Sequence, residues 1–194
     1  MQKVLINLDR STERLETFYR MNSHIKDIER FPAIDGRGIR QTLKEKGLLL
    51  EDWGIDYTDG ALGNAMSHKA LWERAVASGE ALTVIEDDAV FCKNFEEEHQ
   101  RLLKTLPETW DIVLWGCIFG LGLSYDLWHG FPFEIRGSRF NQENFRKNIG
   151  MFPEMCISGN LHKLYRSWGI ECYSISPRGA KKFWSFVFRL DVYL

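Results

Sequence analysis

Apolar residues follow two rhythms along this chain. Residues 3–8 form a near-continuous apolar run, the pattern of a strand buried on both faces. After Ser11, a residue suited to capping a helix, Leu15, Phe18, Tyr19 and Ile25 recur at near-helical spacing. Residues 29–34 read as a second strand, closed by Asp35-Gly36, and this strand, helix, strand order predicts a parallel α/β sheet. A short polar helix is expected over 39–46, stopped by Gly47, followed by a loop over 48–60 that has no clear period. Residues 63–78 read as a helix with Leu71, Trp72, Ala75 and Val76 inward and Gly79 at its end.

An apolar strand then runs into Glu86-Asp87-Asp88. Asn94 opens another predicted helix, with Glu97 placed for a capping box, Leu102, Leu103 and Leu106 inward, and Pro107 as the stop. Residues 111–115 and 171–175 read as strands, and Ser176-Pro177 starts a last helix. Over 118–168 Gly, Phe, Trp, Asn and Arg mix without a sustained period, which predicts loops and short helices. No repeat or linker divides the chain, so one domain over 1–194 is expected. The apolar stop at Asp191-Val192-Tyr193-Leu194 points to a natural protein that continues, or to residues that pack at a surface.

Composition narrows the function classes. A net charge of −2 provides no broad basic face, which disfavours nucleic acid as a partner. Cys92, Cys117, Cys156 and Cys172 lie far apart, without Cys-x-x-Cys, and read as reduced thiols in or near the core. The first apolar run is too short for a signal peptide, and the uncharged run 112–125 holds three glycines and is too short to cross a bilayer. The cytoplasm is therefore the expected compartment. Many of the 7 Trp and 13 Phe residues fall after residue 109, a surplus suited to core packing or to a sugar-stacking or membrane-contacting surface.

The acids after the central strand carry the chemistry. A hydrophobic strand that stops at adjacent acids places them in the loop at the sheet's edge, where α/β proteins bind ligands. Three neighbouring carboxylates repel one another, and a hard divalent ion such as Mg2+ or Mn2+ relieves that repulsion. A sugar-nucleotide pyrophosphate needs such an ion as its phosphate leaves. Taken alone, an acidic triplet is more often a solvated turn.

The rest of the chain changes that balance. Ile6-Asn7-Leu8-Asp9-Arg10-Ser11-x-x-Arg14, Pro32-Ala33-Ile34-Asp35-Gly36, Gly63-x-x-x-Ser67-His68-x-x-Leu71-Trp72, Ile85-Glu86-Asp87-Asp88 and Trp110-Asp111-Ile112-Val113-Leu114 together resemble glycosyltransferase family 25. Tyr173-Ser174-Ile175-Ser176-Pro177-x-Gly179-Ala180 is similar to that family's later strand-to-helix element, with Asp191 where the family has a downstream acid. The resemblance implies a GT-A type, Rossmann-like nucleotide-sugar-binding α/β fold with a mainly parallel sheet. It also implies UDP-galactose as donor, a lipid-linked lipooligosaccharide glycan as acceptor, and inverting transfer to a β-linkage, with Glu86-Asp87-Asp88 standing in for the D-x-D metal motif. The chain departs from the pattern at Asn64, where many members have Cys, and at Ile170 and Cys172.

The residues suggest individual roles. Asp88 is the expected direct ligand of Mn2+ or Mg2+; Glu86, on the same strand face, is a second metal or ribose contact, while Asp87 points the other way and either holds the loop by hydrogen bonds or contacts the donor in a catalytic role. Asn7, Asp9 and Arg10 end the first strand, where a base and ribose are read, and Arg10 or Arg14 can neutralise a phosphate. Against this, Arg14 also fits a solvent-facing helix arginine. Gly63, Ser67 and His68 open a helix whose backbone N–H groups can meet an anion, although a lone His is more often structural. Asp35 is either the acid of an Asp-Gly turn or, by the family motif, a donor contact. Inverting transfer needs a base for the acceptor hydroxyl, and Asp191, Glu171 and Glu154 are candidates that spacing does not separate. The segment 181–189 joins lysines to aromatic rings, fitting either a peripheral membrane contact or a final core helix. Two other functions compete: a metal-dependent phosphohydrolase or nucleotidyltransferase using the same acids, and a non-catalytic carbohydrate-binding domain.

Overall fold

The computed structural model describes residues 1–48, 57–116, 123–128, 130–135, 147–167 and 169–187. In chain order these form β1 (Gln2–Asn7), α1 (Thr12–Met21), β2 (Ile28–Pro32), α2 (Arg40–Glu45), α3 (Asp59–Ser78), β3 (Leu82–Glu86), α4 (Phe95–Leu103) and β4 (Ile112–Leu114). They continue with β5 (Leu123–Trp128), β6 (Phe131–Ile135), a short 3-10 helix (Ile149–Glu154), β7 (Leu164–Ser167), β8 (Cys172–Ile175) and α5 (Pro177–Val187).

The main sheet has five strands in the order β2-β1-β3-β8-β4. β1 pairs in parallel with both β2 and β3, whereas β8 runs antiparallel to β3 and β4. Alternation along β1 explains the layering. Val4 and Ile6 face one way into a core with Leu71, Ala75 and Ala180 from α3 and α5, while Leu5 faces the other way into a core with Phe18 of α1 and Phe95 of α4. Both faces of the central strands are covered, which is why they read as unbroken apolar runs.

Several boundaries move for physical reasons. α3 starts at Asp59, not Gly63, because Thr58 caps it by accepting from Ala61 N at 3.2 Å. Ser11 precedes α1 but makes no side-chain cap, and Ile25 is buried beyond the helix end. The capping box at Asn94 does not form: its side chain clamps Ile157, accepting from N at 2.8 Å and donating to O at 3.0 Å. Ser176 does cap α5, accepting from Gly179 N at 3.0 Å.

The larger correction lies in the segment expected to be loops and short helices, where β6-β5-β7 form a second, antiparallel sheet. Pairing in both ladders is interrupted by register shifts, at Asp126/Trp128 and Ser124/Tyr125, which erase the period-two signal that long strands show. Residues 49–56 and 188–194, including Asp191 and the last two residues of the basic-aromatic segment 181–189, lie outside the described residues, as does Cys117. Cys92 and Cys172 are buried free thiols and Cys156 is an exposed one. Among the described residues no helix is long and apolar enough to cross a membrane.

A buried polar knot ties the central strands to α4. Thr83 Oγ1 and Ser174 Oγ meet His99 Nε2 at 3.1 and 3.2 Å, and Trp115 Nε1 donates to Ser174 Oγ at 2.8 Å. Burial, and then Lys3, hold His99 down to about 4 from 6.5. Between those two values the unfolded chain takes up a proton that the native state refuses, so stability falls as pH drops through this window. The loss reaches about 3 kcal/mol. Urea denaturation at pH 7 and pH 4.5 is expected to show this drop in the wild type and a flatter response in His99→Gln. Equal pH slopes in the two proteins would remove His99 as the cause.

Candidate functional site

Parallel pairing brings the carboxyl ends of β1, β2 and β3 to one edge, with Asn7 opposite Pro32 and Ile6 opposite Glu86. Because β8 runs the other way, its entry end reaches the same edge, and Glu86 N donates to Glu171 O at 2.8 Å. The site is therefore built from strand ends that are far apart in the chain.

The triplet divides its labour by exposure. Asp87 is the innermost, 12% exposed, paired with Arg14 and accepting from Asn7 Nδ2 at 2.7 Å. These contacts tie the loop to β1 and α1. Glu86 is 27% exposed and accepts at a single oxygen, Oε1, from His68 Nε2 at 3.1 Å and Asn64 Nδ2 at 3.3 Å. Asp88 is the outermost, 58% exposed, with Arg14 at 3.3 Å. Partial desolvation and then repulsion from Glu86 push its carboxyl up, Arg14 opposes, and Asp87 adds to the rise. Glu171 is pushed up in the same way, by burial and then by Asp88 and Glu86. Negative charge thus exceeds what Arg14 balances, an arrangement that favours a cation.

The basic residues nearby are engaged with acids. Arg30 donates to Asn7 Oδ1 at 3.1 Å and to Asp9 Oδ1 at 2.6 Å, and Arg10 pairs with Asp35. Arg37 also binds Asp35, through its side chain first, and with Arg10 holds that carboxyl down at about 2. Asp35 is therefore more than a turn acid, since it links Arg10 at the end of β1 to the loop leaving β2.

Two expected ligand contacts are replaced by packing. Ser67 is fully buried, accepts from Ile34 N at 2.8 Å and donates to Gly63 O at 2.8 Å, so its hydroxyl fastens the loop after β2 onto α3. Gly63 lies a full turn inside α3, where the helix ladder uses its N–H, and a Cβ there would fall 2.6 Å from Gly36 N and closer still to Ile34 O. Close backbone approach accounts for this glycine.

Of the three candidate bases, Glu171 stands beside Asp88, and Asp191 lies outside the described residues. Glu154 lines a different cleft, with Arg20, His24 and Lys93. Sequence reasoning passed over Arg30, Asn64, Trp72 and Tyr173. Trp72 Nε1 donates to the Tyr173 hydroxyl at 2.8 Å, and that hydroxyl meets His68 Nδ1 at 2.8 Å. Trp72 and Tyr173 both fall within the motifs that carry the family resemblance, but their spacing is that of core aromatics, so periodicity does not separate them from packing residues. Among the described residues no three His, Cys, Asp or Glu side chains converge closely enough to enclose a metal ion.

Comparison with known proteins bears on this edge. A family model described as glycosyltransferase family 25 (LPS biosynthesis protein) matches residues 1–192. A putative glycosyltransferase R655 of Acanthamoeba polyphaga mimivirus is 31% identical over 117 residues, covering 58% of this chain and 36% of the relative. A glycosyltransferase 25 family member of Aedes aegypti is 31% identical over 123 residues, 58% of this chain and 20% of the relative. A probable inactive glycosyltransferase 25 family member 3 of Rattus norvegicus is 36% identical over 95 residues, 43% of this chain and 17% of the relative. The chain thus spans little more than a third, or less, of the curated relatives it matches.

Proposed function

Because the chain belongs to glycosyltransferase family 25, we propose that it transfers galactose from UDP-galactose to a saccharide hydroxyl of a lipid-linked, lipooligosaccharide-type glycan, inverting the anomeric centre. The observation that carries this reading is the meeting of Asn7, Arg14, the carboxylate triplet and Glu171 at the carboxyl edge of the parallel strands. The GT-A assignment is part of the proposal. It is supported by the β2-β1-β3 parallel core with acids at the end of β3.

The donor set suits Mn2+ or Mg2+. Such ions are held by one or two carboxylates together with substrate phosphates and water rather than by an all-protein cage. Asp88 would hold the ion directly, with Glu86 as the second carboxylate. Held there, the ion would supply charge neutralisation for the departing UDP. Arg14 neutralises the carboxylates behind it, and Asn7 holds Asp87 so that the loop keeps its shape. Asp191 is proposed as the base for the acceptor hydroxyl, with Glu171 as the alternative beside Asp88.

A cytoplasmic enzyme touching the membrane surface fits a lipid-linked acceptor. In α5, Phe183 packs against Trp72 with ring centroids 5.8 Å apart and Lys182 binds Asp111 at 2.8 Å. The proposed contact therefore falls to Lys181, which is exposed, and to the tail beyond it.

Incubation with a panel of UDP-sugars and Mn2+, with and without saccharide acceptors, tests the reading. UDP release is expected with UDP-galactose, and NMR of the product is expected to show a β-linkage. An α-linked product would remove inversion. The relative named inactive makes a non-catalytic binding domain the second reading, and donor binding without any cleavage would favour it.

A further inference from the structure

We propose that His68 is a positioning residue: a one-way hydrogen-bond chain from Trp72 through Tyr173 fixes its Nε2–H on Glu86 Oε1 and leaves Glu86 Oε2 as the oxygen presented to ligand. The inference rests on the glycosyltransferase reading for its effect on rate, but its geometry stands apart from it.

The direction of the chain follows from chemistry. The Trp indole can only donate, so its 2.8 Å contact makes the Tyr173 hydroxyl oxygen an acceptor. Tyr173 is 2% exposed, and the other polar atom its hydroxyl meets is His68 Nδ1, at 2.8 Å. The hydroxyl hydrogen therefore goes to Nδ1. A ring nitrogen that accepts carries no proton, so the neutral imidazole keeps its hydrogen on Nε2. That nitrogen faces Glu86 Oε1 at 3.1 Å, where a carboxylate only accepts. Each link permits one polarity, and the polarity points toward the triplet.

The consequence at Glu86 is an asymmetric carboxylate. Asn64 also donates to Oε1, at 3.3 Å, while among the described residues nothing meets Oε2. Two donors on one oxygen, one of them on a ring held by a buried Tyr and packed on it with centroids 5.6 Å apart, set the carboxylate's rotation. His68 is thereby excluded as a proton-abstracting base through Nδ1, because Tyr173 occupies that lone pair. It is also kept from direct phosphate contact through Nε2, whose hydrogen is already given to Glu86.

Two measurements decide this. Nitrogen-15 NMR of the imidazoles, with His68 assigned by its absence in His68→Gln, is expected to show a protonated Nε2 and a bare Nδ1. A proton on Nδ1 would overturn the chain. Gln at position 68 keeps an N–H of similar reach but cannot titrate, so His68→Gln is expected to transfer within about 3-fold of wild type with the same pH profile. His68→Ala is expected to fall by about 10- to 100-fold, the range for residues that orient a ligand-binding group. If Gln is as impaired as Ala, His68 acts through its own chemistry; if neither is impaired, Glu86 needs no positioning. Either result overturns the proposal. A wild type that neither binds UDP nor cleaves any UDP-sugar would instead fail the glycosyltransferase reading, and the tautomer would still settle the direction of the chain.

Discussion

Asp88→Asn is expected to slow sugar transfer by about 100-fold or more, and to weaken UDP binding in the presence of Mn2+, while the protein stays folded. The carboxyl is the most open of the triplet and pairs only loosely with Arg14, at 3.3 Å, so it holds nothing in place. Its value lies in charge. Removing one electrostatic stabiliser of a developing charge typically costs about 100- to 1000-fold, and under the proposed metal role the cost falls on both binding and rate. Stability should move the other way. A carboxyl pushed up in the folded state is ionised at a disadvantage at neutral pH, relative to the unfolded chain, so the neutral Asn relieves repulsion from Glu86 and Asp87. Calorimetric titration of UDP with Mn2+, beside a thermal melt, checks both halves. Wild-type UDP affinity in the variant would remove the metal role, and a clearly lower melting point would make any lost activity structural. Asp191→Asn, by contrast, should slow transfer while leaving UDP affinity nearly intact if Asp191 is the base proposed above, because a base acts only in the transition state.

The second large effect concerns the seam between the loop after β2 and α3. Gly63→Ala is expected to destabilise the protein by about 3 kcal/mol or more. Helix propensity alone favours Ala by about 1 kcal/mol, so the sign of the result discriminates between the two effects. Sterics should win because the three nearest neighbours of the new methyl are all backbone: Ile34 O, Gly36 N at 2.6 Å and Gly36 Cα at 3.1 Å. No side chain can rotate away, and the loop that moves carries Asp35 and its pairing with Arg10. Gly60→Ala on the same helix, whose Cβ would have Thr58 Oγ1 at 3.9 Å as its nearest neighbour, is the control and should be close to neutral. Equal urea midpoints for Gly63→Ala and Gly60→Ala would show that the seam has slack.

The elements that were legible in the sequence are those whose burial is simple. β1 and β3 bury both faces, α3 ends on Gly79 in the left-handed conformation, and α5 opens on a true Ser cap, so each carries its own local signal. The triplet was legible as well, because three adjacent acids after an apolar strand are a local event. Asp87's inward facing also followed from strand alternation. The second sheet was not legible, since its strands are short and shifted in register, and β7 pairs with β5 from far along the chain.

The sequence by itself determined a parallel α/β core and an acidic strand end, because both rest on periodicity and on neighbours in the chain, and its ordered motifs carried the resemblance to the family to which the chain belongs. Only the tertiary structure decided which oxygens remain available. Reversal of β8 brought Glu171 to the triplet, and the buried Tyr173 hydroxyl, 105 residues from His68, set where the imidazole proton sits. Burial made Ser67 a fastener instead of a ligand contact. Hydrogen-bond direction and desolvation depend on what surrounds an atom in space, and residues this far apart become neighbours only once the sheet has closed.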